Sequence, residues 1–211
     1  MIYEKVLPAS SAQVLQRISD SGNACFSGWT LAGGTGLALQ FGHRLSEDFD
    51  FFRTEGFHPG RMHEALHALG SYETALEDAS SLVVMLDKVK LSFFQVRDPF
   101  LFPAQPWRFV QLAAPADIAL MKLAAIGGRG ARKDFIDLWF LLRDGGMSLR
   151  DALEQMPAKY GSERFNRLHT LKSLTYFDDA EREPMPRMLV PFDWAECCAF
   201  FRKTVREIAT L

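Results

Sequence analysis

The sequence predicts an α+β protein, with a mixed sheet and helices over residues 1–113 and a helical C-terminal lobe over 114–211. Three observations lead there. Two β-rich runs, 82–86 and 89–96, flank Asp87-Lys88 as a hairpin turn. Short apolar runs alternate with helix-period segments ahead of that hairpin. Beyond about Ala113 the pattern is helical to the end of the chain.

Each element has its own local signal. Val14, Leu15 and Ile18 give residues 9–21 a helical stripe, and Gly22-Asn23 ends it. Residues 29–32 read as a short strand running into Gly33-Gly34, and 35–41 as the helix that follows. Residues 49–52 form a strand that carries acids. Met62, Leu66 and Leu69 mark one side of a helix over 59–69. In the second hairpin strand Val89, Leu91 and Phe93 share a face, while Lys90 and Ser92 take the other. Prolines at 99, 103 and 106 break the chain before a short strand at 108–112. Pro115 then suits a first helical turn, and Gly127-Gly128 stops that helix. A second helix, 132–142, closes at Gly145-Gly146. Ser148 with Asp151 forms a capping box for a third over 149–155. A proline-bearing loop spans 176–191, and Asp193 with Glu196 caps a last helix over 194–208.

Composition narrows the function classes. Of 211 residues, 48% are apolar and 18 are Phe, enough for a packed core. The 24 Lys+Arg against 26 Asp+Glu leave a net charge of −2, so general DNA binding or coating of nucleic acid is excluded. Any contact with a nucleotide or RNA must come from a local patch or a metal site. Cys25, Cys197 and Cys198 are too few for a disulfide framework and have no zinc spacing, which predicts a reducing, cytoplasmic setting. The polar first 20 residues do not resemble a signal peptide, and no apolar run approaches the roughly 20 residues of a membrane span.

Two stretches carry chemistry. In the first, Gly33 and Gly34 allow a tight turn and close approach to a ligand. The helix that follows offers free N–H groups and a dipole to phosphate, and Thr35 adds a hydroxyl. Asp48 and Asp50 lie two apart on a strand, so both carboxylates fall on one face, while Phe49 and Phe51 point to the other. Such a pair can share divalent metal with a triphosphate. The phenylalanines also suggest burial, which calls for a metal or basic partner. Arg44 and Lys90 are candidates for that partner, and a purely structural salt bridge is the alternative. In the second stretch Lys122 sits among apolar residues, either snorkelling or pointing into a cleft. Arg129, Arg132 and Lys133 concentrate positive charge that can neutralise a triphosphate or hold an RNA end. Asp134 and Asp137 share a face of the next helix, and ordinary surface ion pairs would also account for these charges.

Together these stretches resemble the AbiEii/AbiGii toxin family of the DNA polymerase β-like nucleotidyltransferase superfamily. The matching runs are Leu31-Ala-Gly-Gly-Thr, His43-Arg-Leu-Ser-Glu-Asp-Phe-Asp-Phe-Phe, Asp117-Ile-Ala-Leu-Met-Lys-Leu-Ala-Ala-Ile-Gly-Gly-Arg-Gly and Arg132-Lys-Asp-Phe-Ile-Asp-Leu. The resemblance implies a polymerase β-like nucleotidyltransferase core followed by a helical lobe. It implies Mg²⁺-dependent transfer of a nucleoside monophosphate from an NTP to an acceptor such as tRNA or another RNA. It also implies a toxin of a toxin–antitoxin or abortive-infection system with a cognate antitoxin. By position, Gly34 and Thr35 would touch the triphosphate, with Gly33, Arg44 and Arg129 beside them as phosphate or nucleotide ligands. Asp48 and Asp50 would bind metal, Lys122 would bind phosphate or nucleotide, and Asp137 would assist, with Asp134 as the alternative. One departure stands out. Many members of the superfamily carry a third carboxylate on a later strand, where this chain offers Lys90 and Ser92. The rival readings are a nucleotide- or partner-binding module of weak activity and a transferase acting on small molecules of the antibiotic type.

Overall fold

The computed structural model describes residues 1–210, which fall into two compact units. The first comprises Met1–Pro99 and Pro103–Ala114, and the second comprises Phe100–Phe102 and Pro115 onward.

The first unit is built on one seven-stranded mixed sheet. Its strands are β1 (Thr30–Leu31), β2 (Phe49–Arg53), β3 (Tyr72–Glu77), β4 (Ser81–Leu86), β5 (Val89–Gln95), β6 (Gln105–Trp107) and β7 (Val110–Leu112), in the spatial order β3-β4-β5-β2-β1-β7-β6. The β4–β5 hairpin turns at Asp87-Lys88, both at positive φ (48° and 68°), the geometry a two-residue turn needs to match strand twist. β2 runs antiparallel to β1 and parallel to β5, so it sits at the middle of the sheet. Helices α1 (Ala9–Asp20), α2 (Gly33–Phe41) and α3 (Pro59–His67) accompany the sheet. Phe49, Phe51, Leu91 and Phe93 are fully buried in its core, with the Phe51 and Phe93 rings stacked 5.0 Å apart across β2 and β5.

Among the described residues the second unit is all helical: α4 (Pro115–Gly128), α5 (Arg132–Asp144), α6 (Leu149–Tyr160), α7 (Arg167–Ser173), α8 (Asp178–Arg182) and α9 (Trp194–Ala209). Phe135 on α5 lies at its aromatic centre, with Phe177, Trp194 and Phe201 rings 5.1–6.1 Å away. The Ser148–Asp151 capping box is present, and Asp193 caps α9.

Several elements depart from the sequence pattern, α7 among them, since no helix is read over 167–173 from sequence. β3 is exposed and polar at the sheet edge, so it carries no apolar alternation. β6 has only three residues, with Pro106 on the opposite edge, where a missing N–H is tolerated. α6 continues through Pro157 to Tyr160 before Gly161 ends it, and α8 interrupts the expected 176–191 loop. No described helix is long and apolar enough to cross a membrane.

Candidate active site

β1 ends at Leu31, and the chain turns through Ala32 and Gly33 directly into α2. Gly33 has φ +62°, a left-handed conformation that a side chain disfavours. The turn is also crowded. A Cβ on Gly33 would lie 2.8 Å from Oδ2 of Asp50, and one on Gly34 would collide with Nη2 of Arg44. The glycines therefore let the backbone lie against a carboxylate and a guanidinium at once. No side chain caps the N-terminus of α2. Its first-turn amides have no intrahelical acceptor, and its dipole favours an anion there.

The acid loop is tied down from three sides. Ser11 Oγ donates to the Glu47 carbonyl at 2.9 Å, and Ala32 N donates to the Asp50 carbonyl at 3.1 Å. Between them the Thr35 hydroxyl bonds both the Asp48 carbonyl and Ser46 Oγ. A hydroxyl has one proton and a carbonyl can only accept, so Thr35 donates to Asp48 and Ser46 donates to Thr35. Thr35 is buried. Read from sequence as a phosphate donor, Thr35 has its hydroxyl on the backbone of the acid loop, where its proton fixes Asp48.

Asp50 lies on β2 and Asp48 immediately precedes it, with Phe49 and Phe51 turned into the core. The burial expected of both acids is only partial. The Asp48 side chain is 45% exposed, because it sits just beyond the end of the strand. Lys90 on β5, one of the two candidate partners, brings Nζ to 3.8 Å from Asp48 Oδ2. Arg44 is buried over Gly34 and donates from Nη1 to the Leu45 carbonyl at 2.9 Å.

Two carboxylates on one side of a strand are hard oxygen ligands of the kind Mg²⁺ prefers. Among the described residues no group of three His, Cys, Asp or Glu side chains is placed to hold a metal. The pair thus fits an ion that completes its shell with water and substrate phosphate, the usual manner for Mg²⁺.

In the second unit only part of the basic charge read from sequence is ion-paired: Lys122 and Arg129 meet acids, while Lys133 is exposed. Lys122 Nζ lies 2.8 Å from Asp134 Oδ1 and 2.6 Å from Asp137 Oδ2, and all three side chains are buried. Asp134 and Asp137, alternatives in the sequence, hold the same ammonium. Arg129 forks onto Asp134, with Nε–Oδ2 at 2.7 Å and Nη2–Oδ1 at 3.0 Å. Burial pushes the Asp134 carboxyl up, but Lys122 and Arg129 together outweigh it and hold the group below the usual carboxylate range. Arg132 is a structural anchor: its side chain donates to the Ala180 and Glu181 carbonyls and its guanidinium lies over Trp194. The reason is geometric. Residues 129–137 wind through the start of α5, which places Asp134 and Asp137 on the face that meets α4.

Sequence reasoning passed over one further ion pair. Lys159 Nζ lies 2.8 Å from Asp117 Oδ1, and Asp117 also accepts from the amides of Leu101 and Phe102 at 2.9–3.0 Å. This pair pins the Phe100–Phe102 strap to the second unit. A buried acid on an apolar helix was its only sequence signal.

The mixed sheet, with a glycine turn into a helix and two acids at the start of its central strand, has the fold of known nucleotidyltransferases. The fold is shared by JHP933 of Helicobacter pylori, with a TM-score of 0.54, 16% identity and coverage of 99% of this chain and 93% of that one. It is shared equally by MenT4, the nucleotidyltransferase toxin Rv2826c of Mycobacterium tuberculosis H37Rv, with a TM-score of 0.54, 16% identity and coverage of 97% and 86%. An uncharacterised protein of Aquifex aeolicus (strain VF5) is 37% identical over 181 residues, spanning 84% of this chain and 86% of its own. Residues 13–207 match the model of the nucleotidyl transferase AbiEii toxin family of type IV toxin–antitoxin systems, and the chain belongs to that family.

Proposed function

We propose that this nucleotidyltransferase moves a nucleoside monophosphate from an NTP to an RNA acceptor hydroxyl, with tRNA as the favoured acceptor, in a Mg²⁺-dependent reaction. The observation that carries the reading is the packing of the Gly33-Gly34 turn against Asp50, which sets an uncapped helix N-terminus beside two carboxylates. In the reaction the acceptor oxygen bonds to the α-phosphorus, the bond to the β-phosphate breaks, and pyrophosphate leaves.

Each group of the first unit has a task in this scheme. The amides of Gly34 and the first turn of α2 orient the triphosphate, with Arg44 adding positive charge at Gly34. Asp48 and Asp50 hold the Mg²⁺. When bound, that ion neutralises triphosphate charge and acidifies the acceptor hydroxyl. Thr35 acts through Asp48 as a positioning residue. In the second unit Lys122 and Asp137 are the candidate pair. Lys122 Nζ lies within 2.8 Å of both Asp134 and Asp137, so each acid sets the position of the ammonium. Arg129 is the exposed end of that cluster and would meet a phosphate first. The toxin role with a cognate antitoxin follows from the family.

The experiment is labelling of total RNA and of purified tRNA with each α-³²P NTP and Mg²⁺. Native protein should transfer label from one or two of the four nucleotides, EDTA should stop it, and Asp50→Ala should abolish it. Full activity in Asp50→Ala would overturn the reading.

A further inference from the structure

The sheet face that carries the acids also carries a pair of aromatic rings. Phe49, Phe51, Leu91 and Phe93 turn into the core, so alternation sends Asp50, Phe52, Ser92 and Phe94 to the other side. Strand register arranges that side in rows. One row runs Asp50, Ser92, Val83, and the next along β2 sets Phe52 between Thr30 and Phe94. About 7 Å of strand separates Phe52 from Asp50. The Phe52 and Phe94 rings lie 5.5 Å apart, tilted by 33°, and both are only half-buried. Val83 and Met85 of β4, half-buried as well, extend the apolar surface past Ser92 and Lys90.

Reaction geometry decides what lies over these rings. Helix α2 follows β1, and its glycine turn packs on Asp50, so the triphosphate cradle stands on the β1 side of that acid. In a displacement at phosphorus the attacking and leaving oxygens stand in line across it. Pyrophosphate leaving over Gly33-Gly34 therefore puts the acceptor on the opposite side, over β5, where Phe94 stands.

The chemistry of the surface then selects the acceptor. Half-buried aromatic rings on a sheet offer flat apolar faces, and the matching group on an RNA is the face of a base. A duplex hides those faces inside its own stack, so a base that lies on Phe52 or Phe94 comes from an unpaired segment. We propose that Phe52 and Phe94 form a stacking platform for the unpaired terminal nucleosides of an RNA acceptor, which holds the end hydroxyl of the strand over the acids. This rests on the reading of Gly33-Gly34, Asp48 and Asp50 as the triphosphate and metal site.

Fluorescence anisotropy of the full chain tests it without NTP, using an RNA hairpin with fluorescein in its loop and a four-nucleotide unpaired 3′ end, beside the same hairpin made blunt. Wild-type protein should bind the overhang hairpin about 10-fold tighter than the blunt one. The double variant Phe52→Leu, Phe94→Leu keeps the apolar bulk but removes both ring faces, and it should erase that difference. Phe94→Trp alone should retain it. In the labelling assay the double variant should raise the KM for the RNA that accepts label by about 10-fold, leave the KM for NTP unchanged and melt near the wild-type temperature. Equal binding of the two hairpins by the wild type, an unchanged RNA KM in the double variant, or a rise in the KM for NTP instead would overturn the platform and leave the transfer reading standing. Ring-dependent binding of the overhang, with no label passed from any NTP to hairpin, tRNA or total RNA, would keep the platform and overturn the transfer reading. Neither binding nor labelling by the wild type would overturn both.

Discussion

Gly33 lies so close to Asp50 that a Cβ on it would stand 2.8 Å from Oδ2 of that carboxylate. The turn and the acid thus form one object, and a change to the first is felt by the second. Gly33→Ala should lower stability by about 1–2 kcal/mol through its positive φ. It should also displace the Asp50 carboxylate and cut nucleotide transfer by about 100-fold. Thermal melts and single-turnover labelling check the two effects separately. A loss of stability with an unchanged rate would show that Asp50 tolerates the shift.

Thr35 is expected to matter through the backbone. Thr35→Val keeps the shape but leaves the Asp48 carbonyl and the Ser46 hydroxyl without this partner, at a cost of about 1–3 kcal/mol. Thr35→Ser should restore both bonds and most of the rate. If Thr35 instead bound triphosphate directly, Thr35→Val would raise the KM for NTP with no loss of stability.

The buried cluster in the second unit should make the chain acid-sensitive. The folded-state pKa of Asp134 is depressed, so its contribution is present above the unfolded value of about 4 and is lost as pH falls through the lower folded value. Asp134→Asn should flatten the stability profile below about pH 4 and cost about 3 kcal/mol at pH 7. Lys122→Met should cost more, since it strands two buried carboxylates. Urea titrations of both variants from pH 7 downward measure this, and a parallel acid slope in Asp134→Asn and wild type would refute it.

The three thiols should react unequally. Burial raises the Cys197 thiol far above its usual value, and Cys198 is raised by the same cause. Cys25 is only half-buried, though burial lifts it too. A chromogenic disulfide reagent at pH 8 should titrate one thiol slowly in the native chain and three after unfolding. Fast reaction of more than one native thiol would contradict the packing around α9.

Much of the fold was legible because its signals are local. The Asp87-Lys88 turn, the capping boxes and the Gly33-Gly34 break are each set by a few neighbouring residues. Strands β3 and β6 were hidden because an edge strand is held by its partner and needs no apolar stripe. The acid pair was legible from spacing alone. Its exposure was not, because Phe49 and Phe51 mark only the buried face of β2 and say nothing of what stands beside Asp48.

The charges divide the problem most clearly. By itself the sequence determined that two acids share a strand face, that glycines precede a helix, and that positive charge gathers between Lys122 and Lys133. Only the tertiary structure decided which of those charges remain for a ligand. Helix packing turned Asp134 and Asp137 onto Lys122 and set Arg129 against Asp134, so the Lys122 and Arg129 part of the apparent basic patch became an ion-pair network. The pairing of β2 with β5 brought Lys90 to Asp48 across 42 positions of sequence. Charge is counted along a chain, but its partners are chosen through space, and the range of a Coulomb contact is a few ångströms whatever the separation in sequence.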